Sequence, residues 1–306
     1  MPRPLAILAL IAVVSAVAGA LAAWMARARW EAATRDHVAR LGAAAAAAAP
    51  GVAFRASDTD TLPPPVARFF RAALREGQLP AARVRIRWRG HFNMGGPGRD
   101  AWRPFTAVQE FAPGAPGFVW DARIRMAPGL TVFVRDALVG DHASMRAALL
   151  GLVTIVRREG TPELAAGARV RYFAEAAWFP TALLPASGVR WEAVDDAAAR
   201  AVLDAGGTTV SLRVAFGADS LIASLSAPDR MYDDGRHPPA PRPWRARLLK
   251  SGVMAGMRIP LAGVVEWDLP DGTFAYWRGE PESIELEAAP ERGRRAGSAA
   301  PPRGAR

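Results

Sequence analysis

The stretch Arg83–Met94, RVRIRWRGHFNM, switches between basic and apolar side chains at every one of its first seven positions. Successive side chains of a β-strand point to opposite faces. Val84, Ile86, Trp88, Phe92 and Met94 therefore share one face, and Arg83, Arg85, Arg87 and Arg89 share the other. A helix would scatter both sets around its circumference, so the pattern requires a half-buried strand.

The same period recurs along the chain. WRPFTAVQEF (102–111), FVWDARIRM (118–126), LTVFVRDALV (130–139) and GVRWEAV (188–194) read as strands between Gly/Pro turns. MRAALLGLVTIV (145–156) reads as one long strand. AARAVLD and TTVSLRVAF flank an Ala-Gly-Gly hairpin turn, and four more strand-like runs follow up to residue 287. Short connections imply antiparallel neighbours. Two helices interrupt the strands. One is expected over 66–74, with Gly77 as its C-cap, and one over 161–178, opened by Thr161-Pro162-Glu163. The expected fold is mainly β (α+β): a large curved antiparallel sheet, or unclosed barrel, of about eleven strands with two covering helices.

An uncharged run precedes all of this. Residues 5–25, LAILALIAVVSAVAGALAAWM, are long enough as a helix to cross a hydrocarbon core of about 30 Å. The segment is a transmembrane anchor or a cleaved signal peptide, with Ala18-Gly19-Ala20 as the cleavage-like site. The apolar run continues past that site, which favours a single-pass anchor in the cell membrane. Arg27, Arg29, Arg35 and Arg40 behind the span favour a cytoplasmic body. The signal-like form favours an extracytoplasmic one, and the latter is expected here. The chain thus divides into a segment 1–25, a stalk and Ala/Pro-rich linker 26–61, one β-rich domain 62–288, and a disordered basic tail 289–306.

Charge is uneven. The net charge is +10. Residues 83–158 hold twelve arginines against five acids, whereas 260–291 hold one arginine against eight acids. In the run SIELE, Glu285 and Glu287 alternate with Ile284 and Leu286. The last strand is therefore expected beside the first, with its acids against the arginine row, nearly closing the sheet. A solvated, ion-paired outer face is the plainer reading of that row, and anionic lipid headgroups are its other candidate partner. Nucleic acid is disfavoured, because the aromatics alternate away from the arginines instead of interleaving with them.

Few residues suggest chemistry. The chain has no cysteine, which excludes disulfides, thiolate catalysis and cysteine-held metals. His37, His91, His142 and His237 have no ligand spacing, so no metal site and no cofactor are expected. Phosphate-loop, dinucleotide and nucleophile-elbow motifs are absent, and no catalytic residue is assigned. In EAAWFPTALLP (175–185), Glu175 could act as a buried acid or base; its plainer role is a helix end that plugs the sheet and pairs with an arginine. Asp121, Arg123, Arg135, Asp136 and Glu175 form a candidate polar cluster. Trp88, Phe92, Phe118, Trp120, Trp178, Leu183 and Trp191 are the candidate lining of a hollow.

The runs WRPFTAVQEF, PGFVWDARIRMAPGL, TPELAAGARVRYFAEAAWFPTALLP and GVRWEAVDD resemble a bacterial domain-of-unknown-function family, over about residues 62–287. That resemblance brings no activity and no catalytic residues. The strand-rich layout also resembles the lipoprotein-carrier type of unclosed barrel, which implies an apolar concave face. The function expected is a membrane-anchored, non-enzymatic domain that binds an apolar or amphiphilic, lipid-like ligand in that face. The alternatives are an envelope protein-interaction domain without a small ligand and a hydrolase-like enzyme using Glu175 or Asp121.

Overall fold

The computed structural model describes residues 3–48, 51–235 and 237–289, so the tail beyond 289 lies outside the described residues. Helix α1 (Arg3–Ala47) leads into a short 3₁₀ turn and helix α2 (Pro64–Ala73). Six strands follow: β1 (Ala81–Asn93), β2 (Trp102–Ala112), β3 (Gly117–Ala127), β4 (Leu130–Val139), β5 (His142–Leu149) and β6 (Val153–Glu159). Helix α3 (Pro162–Glu175) and three 3₁₀ turns up to Ser187 come next. Seven strands complete the fold: β7 (Val189–Asp195), β8 (Ala198–Ala205), β9 (Thr208–Phe216), β10 (Ile222–Tyr232), β11 (Ala240–Met254), β12 (Met257–Leu269) and β13 (Gly272–Ala288).

Among the described residues, the thirteen strands form one antiparallel sheet in the order β6-β5-β4-β3-β2-β1-β13-β12-β11-β10-β9-β8-β7. The chain lays down one meander from β1 outward to β6. It then crosses through α3 and returns by a second meander that ends at β13, against β1. The strand count exceeds the expected eleven partly because 145–156 is two strands. Leu150 and Gly151 adopt positive φ there and turn the chain back between β5 and β6. Both flanks of that turn are apolar, so the segment carries no polar turn signal.

The first and last strands pair as their charges anticipate. Arg83 lies opposite Glu287, Arg85 opposite Glu285 and Arg89 opposite Glu280. Arg89 also bonds Glu280 at 3.0 Å, whereas the other two arginines turn chiefly to a different acid. Arg85 bonds Glu110 of β2 at 2.7 Å, and Arg83 approaches the same buried carboxylate at 3.7 Å. The expectation that this pairing nearly closes the sheet is wrong. The ladder is the middle of the sheet, and the open edges are β6 and β7. The sheet still curls strongly. Arg158 of β6 reaches an ion pair with Asp233, just past β10.

The concave face holds the main core. α2 packs Val66, Phe69, Phe70 and Ala73 inward. It ends at Ala73, so Gly77 is not its C-cap; Gly77 turns left-handed (φ 76°) and donates to the Phe54 carbonyl at 2.9 Å. The start of α3 follows its sequence: the Thr161 hydroxyl accepts from Leu164 N–H at 3.2 Å, and Pro162 opens the helix. The convex face carries α1. The run read as a stalk is helical to Ala47, and Ala26, Trp30, Leu41 and Ala45 are buried. Leu41 and Ala45 form a second small core with Ala112, Val119 and Ala137.

Three glycines, Gly90, Gly279 and Gly263, stand side by side across β1, β13 and β12. A Cβ on Gly279 would lie 2.4 Å from the Trp277 ring, and one on Gly263 would lie 3.3 Å from Trp178. Missing side chains in mid-sheet let the indoles lie close against the backbone. Gly279→Ala is expected to destabilise the protein by about 1–3 kcal/mol, as overpacking does. Denaturant unfolding measures this, and an unchanged or raised midpoint would refute the glycine row's role.

Candidate functional site in the concave face

α2 and the α3 segment do not fill the hollow. A cavity of about 330 Å³ remains between β1, β3–β6 and β10–β13 on one side and the end of α3 on the other. Trp88, Trp120, Trp178, Trp244 and Trp277 line it, with Phe92 and Tyr276. The indoles brace one another: Trp178 stands edge-on to Trp88 at 5.0 Å, and Trp277 meets Trp88 at 5.6 Å. Trp178 is anchored further by its Nε1–H, which donates to the Pro260 carbonyl at 2.9 Å.

Four of the seven residues expected to line the hollow do so: Trp88, Phe92, Trp120 and Trp178. The other three are spent on packing. Phe118 lies under the Arg171 guanidinium at 4.8 Å. Trp191 packs edge-on to Phe70 of α2, and its Nε1–H donates to the Leu183 carbonyl at 3.0 Å, which occupies both residues in the plug. Trp244, Trp277 and Arg230 line the cavity without having been singled out in the sequence.

A polar chain crosses the cavity floor. Trp88 Nε1–H donates to Gln109 at 3.0 Å, and Gln109 Nε2–H donates to Glu175 at 2.7 Å. Arg171 donates to Glu175 at 2.9 Å and to Asp136 at 2.5 Å. Burial raises the Glu175 carboxyl, against the pull of Arg171 and Gln109. Burial works to lower the Arg171 guanidinium, but the Glu175 and Asp136 carboxylates override it and hold Arg171 firmly charged. Glu175 is thus a helix end paired to an arginine.

The candidate polar cluster is split between the two faces. Asp136 and Glu175 meet inside; Asp121, Arg123 and Arg135 meet outside, under α1. The cause is simple: Arg135 and Asp136 are consecutive in β4 and point to opposite faces. Outside, Asp121 accepts from Trp30 Nε1–H at 2.9 Å, and Arg135 donates to Thr34 Oγ1 at 3.1 Å. Arg135 also stacks on the Trp30 ring at 4.9 Å. These residues clamp a helix. Asp121 and Glu175, on opposite sides of the sheet, cannot act on one bound molecule.

Arg230 is different. It lines the cavity, lies 4.7 Å from the Trp244 ring and 5.3 Å from the Trp267 ring, and donates to the Gly167 carbonyl at 3.1 Å. Its Nη1 is buried and makes no hydrogen bond, and no carboxylate among the described residues forms an ion pair with it. A buried donor left unpaired costs stability. A wider groove of about 1140 Å³, between the end of α1 and the start of β1, is lined largely by alanine, glycine and proline. It has none of the aromatic lining of the smaller cavity.

The chain belongs to a family of unknown function, DUF6544, whose pattern matches residues 52–279. This agrees with the resemblance carried by the motifs above. No curated protein matches the chain. Among solved structures it is similar to a LolA superfamily protein from Nitrosomonas europaea, at 12% identity and a TM-score of 0.33, over 68% of this chain and 86% of that one. A domain named for outer membrane lipoprotein sorting, from Vibrio parahaemolyticus, matches at 9% and 0.37, over 69% and 87%. A β-barrel-like DUF1849 protein from Brucella abortus matches at 10% and 0.22, over 68% and 99%. These likenesses are distant, and nothing about a ligand passes from them to this chain.

The raised Glu175 carboxyl gives a pH signature. Its folded-state value lies above the ordinary carboxylate value of about 4.3. The stability this contributes is complete below the ordinary value and is lost as pH rises through the raised one. Glu175→Gln has no proton to lose there. Its unfolding free energy relative to wild type is therefore expected to increase with pH across that window, read by denaturant titration. A difference that stays flat with pH would mean the carboxyl is not shifted.

Proposed function

We propose that this domain binds an amphiphilic small molecule, with its apolar part in the tryptophan-lined cavity and an anionic head against Arg230. The observation that supports this most is the cavity itself. Its volume of about 330 Å³ is at the lower end of small-molecule sites, which run from roughly 300 to 1,000 Å³. Its walls are chiefly aromatic and aliphatic, and its polar groups are few. Of its four charged side chains, Asp136, Arg171 and Glu175 satisfy one another, which leaves Arg230 to read a ligand. A carboxylate or phosphate oxygen would supply the partner that Nη1 lacks. The reading includes a single-pass membrane anchor formed by residues 5–25, with the body on the extracytoplasmic side. The unbroken course of α1 through residue 20 supports the anchor. The signal-like form of the segment supports the sidedness.

The full chain in mild detergent is expected to bind a long-chain fatty acid and, more weakly, the alcohol of equal length. Arg230→Met removes a charge-assisted hydrogen bond worth about 1.5–3 kcal/mol, so it should weaken the acid by roughly tenfold or more. The alcohol should bind the variant as it binds wild type. Ala246→Phe, which fills the cavity, should abolish both. Displacement of a fluorescent fatty acid reads all three. Equal affinity of wild type for acid and alcohol would remove the role of Arg230. Failure of wild type to bind either would remove the cavity reading.

A further inference from the structure

α1 has two halves with different surroundings. Between residues 26 and 47 it lies along the convex face, and its direction can be followed residue by residue. A Cβ on Gly114, in the turn after β2, would lie 2.8 Å from the Ala48 Cβ. A Cβ on Gly117 would lie 2.9 Å from Leu41. Trp30 then lies over Asp121 and Arg135, and a Cβ on Gly151, at the tip between β5 and β6, would lie 3.7 Å from the Ala26 backbone. The helix therefore runs from the β2–β3 end of this half-sheet to the β5–β6 tip. The apolar stretch that precedes Ala26 continues past that tip, and residues 6–22 are all exposed.

In a meander, the turns after β1, β3 and β5 lie at the same end. These three turns and the start of β6 carry the exposed apolar side chains of this half-sheet end. Met94 is 43% exposed, Leu152 44%, Val153 62% and Ile155 57%, and Leu130 is exposed beside them. Arginines surround them: Arg27 and Arg29 on α1, Arg99 and Arg103 around the first turn, and Arg125 before the second are all exposed. Among the residues that line the cavity, Met94 and Ile155 are the exposed ones, so the opening lies at this same end.

We propose that this rim, Met94, Leu130, Leu152, Val153 and Ile155, rests in the interfacial layer of a lipid bilayer, so that the cavity opens onto the membrane. The proposal depends on residues 5–25 spanning that bilayer. An apolar patch encircled by arginine suits this partner: the side chains enter the acyl boundary while guanidinium groups meet anionic headgroups. The docked half of α1 fixes the angle of the body, because Trp30 is held by Asp121 below and arginines around it.

The absence of native cysteine makes the test direct. Single cysteines replace Val153, Ile155, Leu8 in the span, or Val253, which is 64% exposed near the opposite end of the sheet. Each full-length variant is labelled with an environment-sensitive fluorophore. It is then reconstituted into phosphatidylcholine–phosphatidylglycerol vesicles that carry a nitroxide near the headgroup. Labels at 153 and 155 are expected to shift to the blue and to be quenched several-fold more strongly than a label at 253. If the label at 8 is shielded by lipid while those at 153 and 155 behave like 253, the rim proposal is overturned and the anchor stands. If the label at 8 is also exposed to water, the anchor reading fails and takes the rim proposal with it.

Discussion

The ladder between β1 and β13 holds this architecture together. It joins the first strand of the sheet to the last, and among the described residues it is the only ladder between the two meanders. Pairing so distant in sequence must offset a large loop-closure entropy before it stabilises anything. The two strands are matched on both faces. Inside, Val84 and Ile86 lie opposite Leu286 and Ile284; outside, arginines lie opposite glutamates. Each outer pair is exposed and contributes little by itself, about 0–1 kcal/mol. Their larger effect is on register. A slip by one residue would put arginines in the core and break every match at once.

Because this ladder is the middle of the sheet, its shape sets the shape of the hollow. The glycine row crosses β1, β13 and β12 there, and indoles from both meanders converge on it. The walls of the cavity come from strands on either side of the ladder, from β6 to β10. The same division by faces allots the charges. Outside, one buried acid lies between two arginines in each meander: Glu110 between Arg83 and Arg85, and Glu266 between Arg245 and Arg247. Inside, one arginine, Arg171, holds two acids. Removing one member of such a set leaves an uncompensated buried charge, which costs far more than the set contributes. Arg230 stands apart because its fork is only partly satisfied by a carbonyl and two ring faces.

Much of this was legible in the sequence, and the rest was hidden for identifiable reasons. The strand over 83–94, the cap at Thr161 and the acidic match of the last strand follow from period, propensity and charge. The turn at 150–151 was hidden because leucines surround its glycine. The docking of α1 leaves only a thin stripe, Trp30, Thr34, Leu41 and Ala45, within an alanine-rich helix of low contrast. The polar cluster was misassembled because nearness in sequence stood in for nearness in space; the period-two rule already puts Arg135 and Asp136 on different faces. Arg230 follows Ala227-Pro228-Asp229, which reads as a turn, so its place on a strand inside the cavity depends on tertiary pairing with β11.

The anchor, the rim and the cavity make one physical argument when taken together. An acyl chain that leaves a bilayer through water exposes its methylenes at about 0.8 kcal/mol each, so a chain of a dozen carbons faces roughly 10 kcal/mol. A freely tethered body would leave that barrier in place, because its cavity would point anywhere. In the arrangement proposed above, a body clamped to its own membrane helix through Trp30, with the cavity opening beside the point where that helix leaves the bilayer, would let the chain pass from lipid to tryptophan without crossing bulk water. In that arrangement the head would meet Arg230 instead of the headgroup layer. On this view the convex-face clamp is part of the binding apparatus, although none of its residues touches the cavity.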